Sequence, residues 1–154
     1  MSDFNGFPNK LSTEVITNNG FFPDVSVGEF QDRYRMPSSY TDRLIIDHLV
    51  SGICWANKQL AEYQITQVGE GHTTLAEVPA DTVNNISIQE HYYFTAVCSY
   101  AKATLMQSFK TVNRRSEAKN EARESEDTEA KFMQYAGEAI SDFLDKPRIT
   151  VALI

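Results

Sequence analysis

The sequence predicts an all-α fold: an antiparallel bundle of three long helices preceded by a short N-terminal helix, with an extended N-terminal arm and a C-terminal β-strand. Apolar residues recur at helical spacing over three long stretches, and Ser or Thr capping signals precede several of the helices. Asn, Gly and Pro concentrate between these stretches. A chain of 154 residues is sized for one domain. We therefore expect a helical domain at residues 26–146, between an arm (1–25) and a terminal strand (147–154).

Composition and charge limit the classes of function. Asp and Glu number 21 against 14 Lys and Arg, which gives a net charge of −7. Such a chain is not expected to bind nucleic acid through its phosphates. The first ten residues lack the basic start and apolar run of a secretion signal, and no stretch reaches the ~18–20 apolar residues of a membrane span. We therefore expect a cytoplasmic protein that contacts no membrane, with Cys54 and Cys98 as reduced core residues.

The N-terminal arm combines Asn, Gly, Ser and Pro with four phenylalanines and has no periodicity. This composition is typical of disorder. Four large aromatic side chains are nevertheless more than a solvated tail requires, so part of the arm could dock on its own or on a neighbouring subunit. The sequence leaves these alternatives open for the arm residues Phe4, Phe7, Phe21 and Phe22.

A short helix is expected to follow the arm. Ser26 and Glu29 have the spacing of a capping box, and Val25 and Phe30 stand where a hydrophobic staple would lie. Pro37 ends this helix, because proline cannot continue the hydrogen-bond ladder.

The second helix is expected from Thr41, a good N-cap, to about Tyr63. Its apolar stripe steps by three or four residues through Ile45, Leu49, Ile53, Ala56 and Leu60. Trp55 and His48 lie off this stripe. The helix is therefore expected to touch a second surface, with His48 as a structural residue rather than a metal ligand.

A long connection and then the central helix are predicted next. Gly, Pro, Asp and Asn mark residues 66–86 as the connection, in which residues 73–78 could form a short edge strand. The central helix is expected from Ser87 to about Val112. One face carries Phe94, Cys98, Ala101, Leu105, Phe109 and Val112, and the other carries Tyr92, Tyr93, Ala96, Tyr100 and Ala103. A helix with two apolar faces must be covered from more than one side.

The third long helix is expected from about Ser116 to Leu144. Its first half is highly charged and is expected to project from the core, whereas its second half packs through Phe132, Ala136, Ala139 and Phe143. A basic cluster lies near the preceding turn, at Lys110, Arg114, Arg115 and Lys119. We interpret it as a solvated helix end, because helix C-termini favour cations.

The last seven residues are expected to be extended, because they are rich in β-branched side chains and follow Pro147. They are Arg148, Ile149, Thr150, Val151, Ala152, Leu153 and Ile154. The rest of the chain offers few strands with which they could pair. They could add to a sheet of another molecule or fold back on their own helices as a clip, and the sequence supports both equally.

A search for catalytic groups finds no motif. His48, His72 and His91 lack the spacing of metal ligands, and the Gly69-Glu70-Gly71 run lacks the remaining residues of a phosphate-binding loop. We therefore expect no catalytic site, no metal and no cofactor, and interpret the chain as something other than an enzyme.

Several stretches carry a family resemblance. They are the Tyr-Ala-Lys-Ala-Thr-Leu run at 100–105, the charged third helix, and the closing run at 140–154, which ends Pro-Arg-Ile-Thr-Val-Ala-Leu-Ile. Residues 30–35 and 56–60 agree as well. Together they resemble the head completion (head stabilisation) proteins of temperate contractile-tailed bacteriophages, the GPL family. The resemblance covers about residues 25–154, and the arm and the charged run at 114–129 depart from it.

The resemblance implies a structural virion protein, a head-to-tail connector at the neck that is assembled in the host cytoplasm. Such a protein would bind the portal protein after DNA packaging and form a ring with neighbouring copies of itself, of about twelve subunits. It would seal the head and offer a platform to a tail-completion or tail-terminator protein, while genomic DNA passes through the pore without specific binding.

The resemblance also suggests roles for named residues. Residues 148–154 would form a portal-docking strand. The helix carrying Glu117, Glu121, Glu124 and Asp127 would face the lumen or a subunit interface, and the phenylalanines of the arm would contact a neighbour. The alternative is a monomeric cytoplasmic helical binding module, such as an assembly chaperone or regulator. A bundle enzyme with a metal between its helices is a third and more remote possibility.

Overall fold

A computed structural model describes residues 10–112 and 118–148, with side chains described outside 111–127. The helices of this part are α1 (Val27–Arg33), α2 (Asp42–Gln59), α3 (Ala61–Gly69), α4 (Ile88–Val112) and α5 (Ala118–Phe143), with a 3₁₀ turn at Leu75–Glu77. Two antiparallel sheets each contain two strands, which are β1 (Val15–Ile16) with β2 (Val25–Ser26), and β3 (Thr82–Val83) with β4 (Ile86–Ser87).

The predicted bundle of three long helices and one short helix is therefore wrong. The described residues form five α-helices and two small sheets, a mostly helical fold that is not a clean bundle. The predicted second helix breaks at Leu60, whose φ of −105° is not helical, and the chain continues as the separate helix α3. The break lets Tyr63 pack edge-on against Phe143, with ring centroids 4.8 Å apart.

The long connection also differs from its prediction. Residues 73–78, considered as an edge strand, contain the 3₁₀ turn instead. The strand pair in this region is the β3–β4 hairpin, whose turn residues Asn84 and Asn85 have φ values of 54° and 63°. Asparagine tolerates positive φ, and a two-residue turn with positive φ at both positions matches the right-handed twist of a hairpin.

Helix α4 lies at the centre and is covered on two sides, as its two apolar faces predicted. The contacts His48–Thr104, Trp55–Tyr100 and Tyr63–Gln89 run in opposite order along the chain, so α2 and α3 lie antiparallel to α4. On the other side, α5 returns antiparallel to α4, with Lys110 bound to Glu129 at 2.8 Å. The core between these layers includes Leu49, Ala56, Val97, Leu105, Ala136 and Phe143.

The predicted helix starts are confirmed where hydrogen bonds record them. The Ser26 hydroxyl accepts from the Glu29 N–H at 3.2 Å, and the Thr41 hydroxyl accepts from the Leu44 N–H at 3.3 Å. Each bond satisfies one of the N–H groups that the first helical turn leaves without a backbone partner.

The two cysteines have different environments. Both are free, and Cys98 is buried within α4 as predicted. Burial raises the pKa of its thiol, because the charged thiolate loses hydration. Cys54 is exposed, so its prediction as a core residue is wrong: it directly follows Ile53, and this next position lies off the apolar stripe of α2.

His48 is a structural residue, as predicted: its Nδ1 lies 2.8 Å from the Thr104 hydroxyl between α2 and α4. Desolvation lowers its pKa below the ordinary 6.5, so the unfolded chain binds the proton more tightly than the folded chain. The stability contributed by neutral His48 is therefore complete above pH 6.5 and is lost as the pH falls through the folded pKa.

We expect urea denaturation at pH 7.5 and 5.5 to show a smaller loss of stability for His48→Gln than for the unsubstituted protein. Glutamine can still bond Thr104 but does not titrate, and both proteins share every other titrating group. An equal loss in the two proteins would show that His48 does not couple folding to pH.

Candidate assembly surfaces

The N-terminal segment is anchored to the helices by a closed polar ring of three side chains. The Asn18 amide donates to the Tyr93 hydroxyl at 2.8 Å, this hydroxyl donates to the Asn57 carbonyl oxygen at 2.6 Å, and the Asn57 amide donates back to Asn18 at 3.0 Å. Tyr93 is fully buried, and desolvation raises the pKa of its phenol far above the ordinary value. A partly buried polar ring in which each member has its partner specifies one arrangement of the segment.

Phe21 and Phe22 lie in the core beside this ring. Their exposed fractions are 4% and 2%, and the Phe22 ring stacks on that of Tyr93 with centroids 4.8 Å apart. The side chain of Asn19 accepts from both of their backbone N–H groups, and the Phe21 carbonyl accepts from Leu75 at 2.9 Å. These two phenylalanines pack on their own chain. Phe4 and Phe7 lie outside the described residues.

The contact of the segment with α1 is close at Gly28. A Cβ at Gly28 would lie 2.4 Å from the Ser12 carbonyl oxygen, so only glycine allows this approach. The Glu14 carbonyl accepts from the Val27 N–H at 3.1 Å, and β1 pairs with β2 directly before α1. Residues 10–25 of the predicted arm therefore lie along the helices of the same chain.

The C-terminal turn fixes the point at which the terminal segment leaves α5. Lys146 N–H donates to the Ser141 carbonyl at 2.9 Å, and Asp145 has the left-handed φ of 52°. This six-to-one bond around a left-handed residue is the Schellman motif of helix ends. Arg148 of the predicted docking strand reaches back to α5, and Ile149, Thr150, Val151, Ala152, Leu153 and Ile154 lie outside the described residues.

The predicted acidic helix is described only in part. Glu117 lies outside the described residues, whereas Glu121, Glu124 and Asp127 lie on α5, where only the backbone is described. Closer to the core, Glu129 forms the ion pair with Lys110, so this cation of the predicted basic cluster is paired.

Sequence reasoning missed other surface features. Ile65 and Val68 on α3 are 72% and 51% exposed, and Val83 on the β3–β4 hairpin is 60% exposed. Helix α3 starts after Leu60 without a side-chain capping bond, so no capping residue marks its start in the sequence. The hairpin does have a sequence signal, the Asn84-Asn85 pair at its turn.

A groove of about 520 Å³ lies between the N-terminal segment and the α1–α2 connection. It is lined by side chains of both charges, including Lys10, Arg35, Asp32 and Asp42.

Among the described residues, no group of three or more His, Cys, Asp or Glu side chains is placed to hold a metal ion. Over the same part of the chain, no helix has the length and apolar character needed to cross a membrane.

Comparison with known proteins gives consistent matches. Residues 16–154 match the family described as phage head completion protein (GPL). The head completion/stabilization protein of Escherichia phage P2 is 30% identical over 140 residues, which cover 91% of this chain and 83% of that protein. The probable head completion/stabilization protein of Haemophilus phage HP1 is 30% identical over 112 residues, covering 73% and 75%. No solved structure matches the chain.

Proposed function

The chain belongs to the phage head completion protein (GPL) family, and on this premise we propose that it is the connector that joins the portal to the tail. Family membership makes it a structural protein of phage head assembly. In the proposed role it binds the portal protein after DNA packaging and forms a ring with other copies of itself. The ring, in the virion neck, seals the head and presents a platform to a tail-completion or tail-terminator protein.

The main support for portal binding is the apolar run at the C-terminal end of the chain and the turn that precedes it. The family match extends to residue 154, so it includes the apolar run at 149–154. The Schellman turn and the ion pair of Arg148 hold the last described residues against the end of α5, directly before this run in the sequence. An extended apolar segment gains most when its backbone adds to a sheet edge of a partner, since its N–H and C=O groups then find hydrogen bonds.

The acidic charge supports the proposed position around DNA. The run at 117–129 contains six Asp or Glu residues against two Lys or Arg residues. If Glu117, Glu121, Glu124 and Asp127 face the lumen, their charge repels the phosphates of passing DNA, so the duplex slides without being bound.

We expect a chain ending at Arg148 to lose portal binding while keeping its fold. Purified full-length and shortened proteins are mixed with purified portal, and binding is scored by co-sedimentation and by electron microscopy for an added ring. The shortened chain keeps the ion pairs of Arg148, so it removes only the proposed docking strand. Circular dichroism and the melting temperature are expected to match those of the full-length protein.

Each other outcome changes a different part of the proposal. Binding by both proteins would leave the connector role in place and show that residues 149–154 are not the docking element. Binding by neither would contradict the connector role and favour the monomeric helical binding module.

A further inference from the structure

The Arg148 side chain forms hydrogen bonds and ion pairs with two carboxylates of α5. Its Nη2 and Nε donate to the two carboxylate oxygens of Asp142, at 2.8 and 3.2 Å, and Nη1 lies 3.5 Å from a carboxylate oxygen of Glu138. Asp142 and Glu138 are four residues apart, so both lie on one face of α5. The fork of the guanidinium matches the two oxygens of Asp142, a geometry that fixes the orientation as well as the position of the side chain.

The backbone on either side of this contact is also constrained. The Schellman turn at Asp145 ends α5 and redirects the chain. Pro147 fixes its own φ and biases Lys146 toward an extended conformation. Arg148, the next residue, is then attached to the helix that the chain has just left. The chain is therefore held at two places, the turn and the guanidinium, immediately before residue 149.

This contact is unsuited to a role in overall stability. The Arg148 side chain is 57% exposed, and exposed ion pairs add little to the free energy of folding. Asp142 and Glu138 are more buried, with side-chain exposures of 27% and 24%, so the more buried carboxylates on the helix bind a more exposed guanidinium. The contact instead constrains the chain at Arg148, directly before residue 149.

We propose that Arg148, through Asp142 and Glu138, is a positioning residue that sets the direction in which residues 149–154 leave the helical body. This inference rests on the proposed function, since it assigns Arg148 to the geometry of docking rather than to contact with the portal. A segment held in its bound direction loses less conformational freedom on binding, and that saving appears as affinity.

The test separates positioning from direct contact by substituting each side of the ion pair. We expect Arg148→Ala and the double variant Asp142→Asn/Glu138→Gln each to weaken portal binding about two- to fivefold, since the gain from holding the segment cannot exceed the strength of this exposed ion pair. The double variant leaves the guanidinium free and nearly preserves the shape of its partners. If Arg148 contacted the portal directly, this variant would bind as well as the unsubstituted protein, and that result would overturn the proposal.

A rescue variant and a stability measurement complete the binding experiment. The exchanged pair Arg148→Asp/Asp142→Arg is expected to bind more tightly than either single substitution and to recover most of the lost affinity, since the attraction between the two sites returns. Melting temperatures of all variants are expected to stay unchanged, because the pair is exposed. Loss of binding that tracks a loss of melting temperature would instead show a structural role and contradict the proposal.

A second measurement needs no portal. Spin labels on Cys54, which is exposed on α2, and on an Ala152→Cys substitution report the distance from the helical body to the terminal segment, while buried Cys98 stays unlabelled. We expect Arg148→Ala to broaden this distance distribution. Equal widths with and without Arg148 would overturn the positioning role. Broadening in a protein that fails to bind portal would keep the positioning role and reject the connector function.

Discussion

Phe22→Ala is expected to lower the free energy of unfolding by about 3–5 kcal/mol, the range for truncating a buried aromatic side chain. Phe22 is 2% exposed and its ring is parallel to that of Tyr93 within 3°. Loss of the Phe22 side chain would leave a cavity beside the polar ring that the side chains of Asn18, Asn57 and Tyr93 form through their hydrogen bonds. Because that ring holds the N-terminal segment against α2 and α4, the cavity would also loosen the segment.

Phe109→Ala is the matched control, because Phe109 is 44% exposed and, among the described side chains, its ring pairs only with that of Tyr40. It is expected to cost no more than about 1 kcal/mol. Urea denaturation of both variants at two protein concentrations gives the measurement. If Phe22 packs on its own chain, the midpoint does not depend on concentration. A midpoint that rises with concentration, or a small loss for Phe22→Ala, would support the inter-subunit contact that the sequence left open.

Alanine at Gly52 and at Gly137 is expected to change stability in opposite directions. A Cβ at Gly52 would lie 2.6 Å from the Val97 carbonyl oxygen of α4, a distance that forces α2 and α4 apart. Overpacking of this kind costs about 1–3 kcal/mol, against a gain of about 0.5–1 kcal/mol from the better helix propensity of alanine. The contact atoms are backbone, which cannot rotate away, so we expect a net loss.

Gly137 is an exposed position in the second half of α5, and a Cβ there would meet no atom within 4 Å. Alanine there gains the same propensity without the clash, and the free energy of unfolding is expected to rise by about 0.5–1 kcal/mol. Thermal and urea denaturation of the two variants provide the comparison. Stabilisation at both positions would mean that α2 and α4 can separate at little cost, contrary to the close packing at Val97.

Much of the helical pattern follows from the sequence alone. The starts of α1 and α2 are set by local chemistry, a Ser or Thr oxygen three residues before an N–H group, and they could be read directly from Ser26 and Thr41. The central place of α4 also follows, because two apolar faces on one helix require two covering layers. These features depend on neighbours within one or two turns, which the order of residues specifies.

The candidate surfaces were harder to predict. Asn18, Asn57 and Tyr93 are distant in sequence, and no local pattern links them, so their polar ring exists only once α2, α4 and the N-terminal segment have packed. The partners of Arg148 could not be identified for a similar reason. Asp142 and Glu138 look like other acidic residues of α5 until the turn at Asp145 brings the guanidinium back to them.

The sequence by itself determined that this protein is mostly helical, where its first helices begin, which helix is central, and that its closing run resembles one family of phage proteins. Only the tertiary structure decided that the helix after Thr41 breaks at Leu60, that Phe21 and Phe22 enter the core of their own chain, and that Arg148 is tied to α5. The physical reason is range. Caps and periodic stripes act between residues a few positions apart, whereas burial, close backbone contact and ion pairing depend on which distant segments the folded chain brings together.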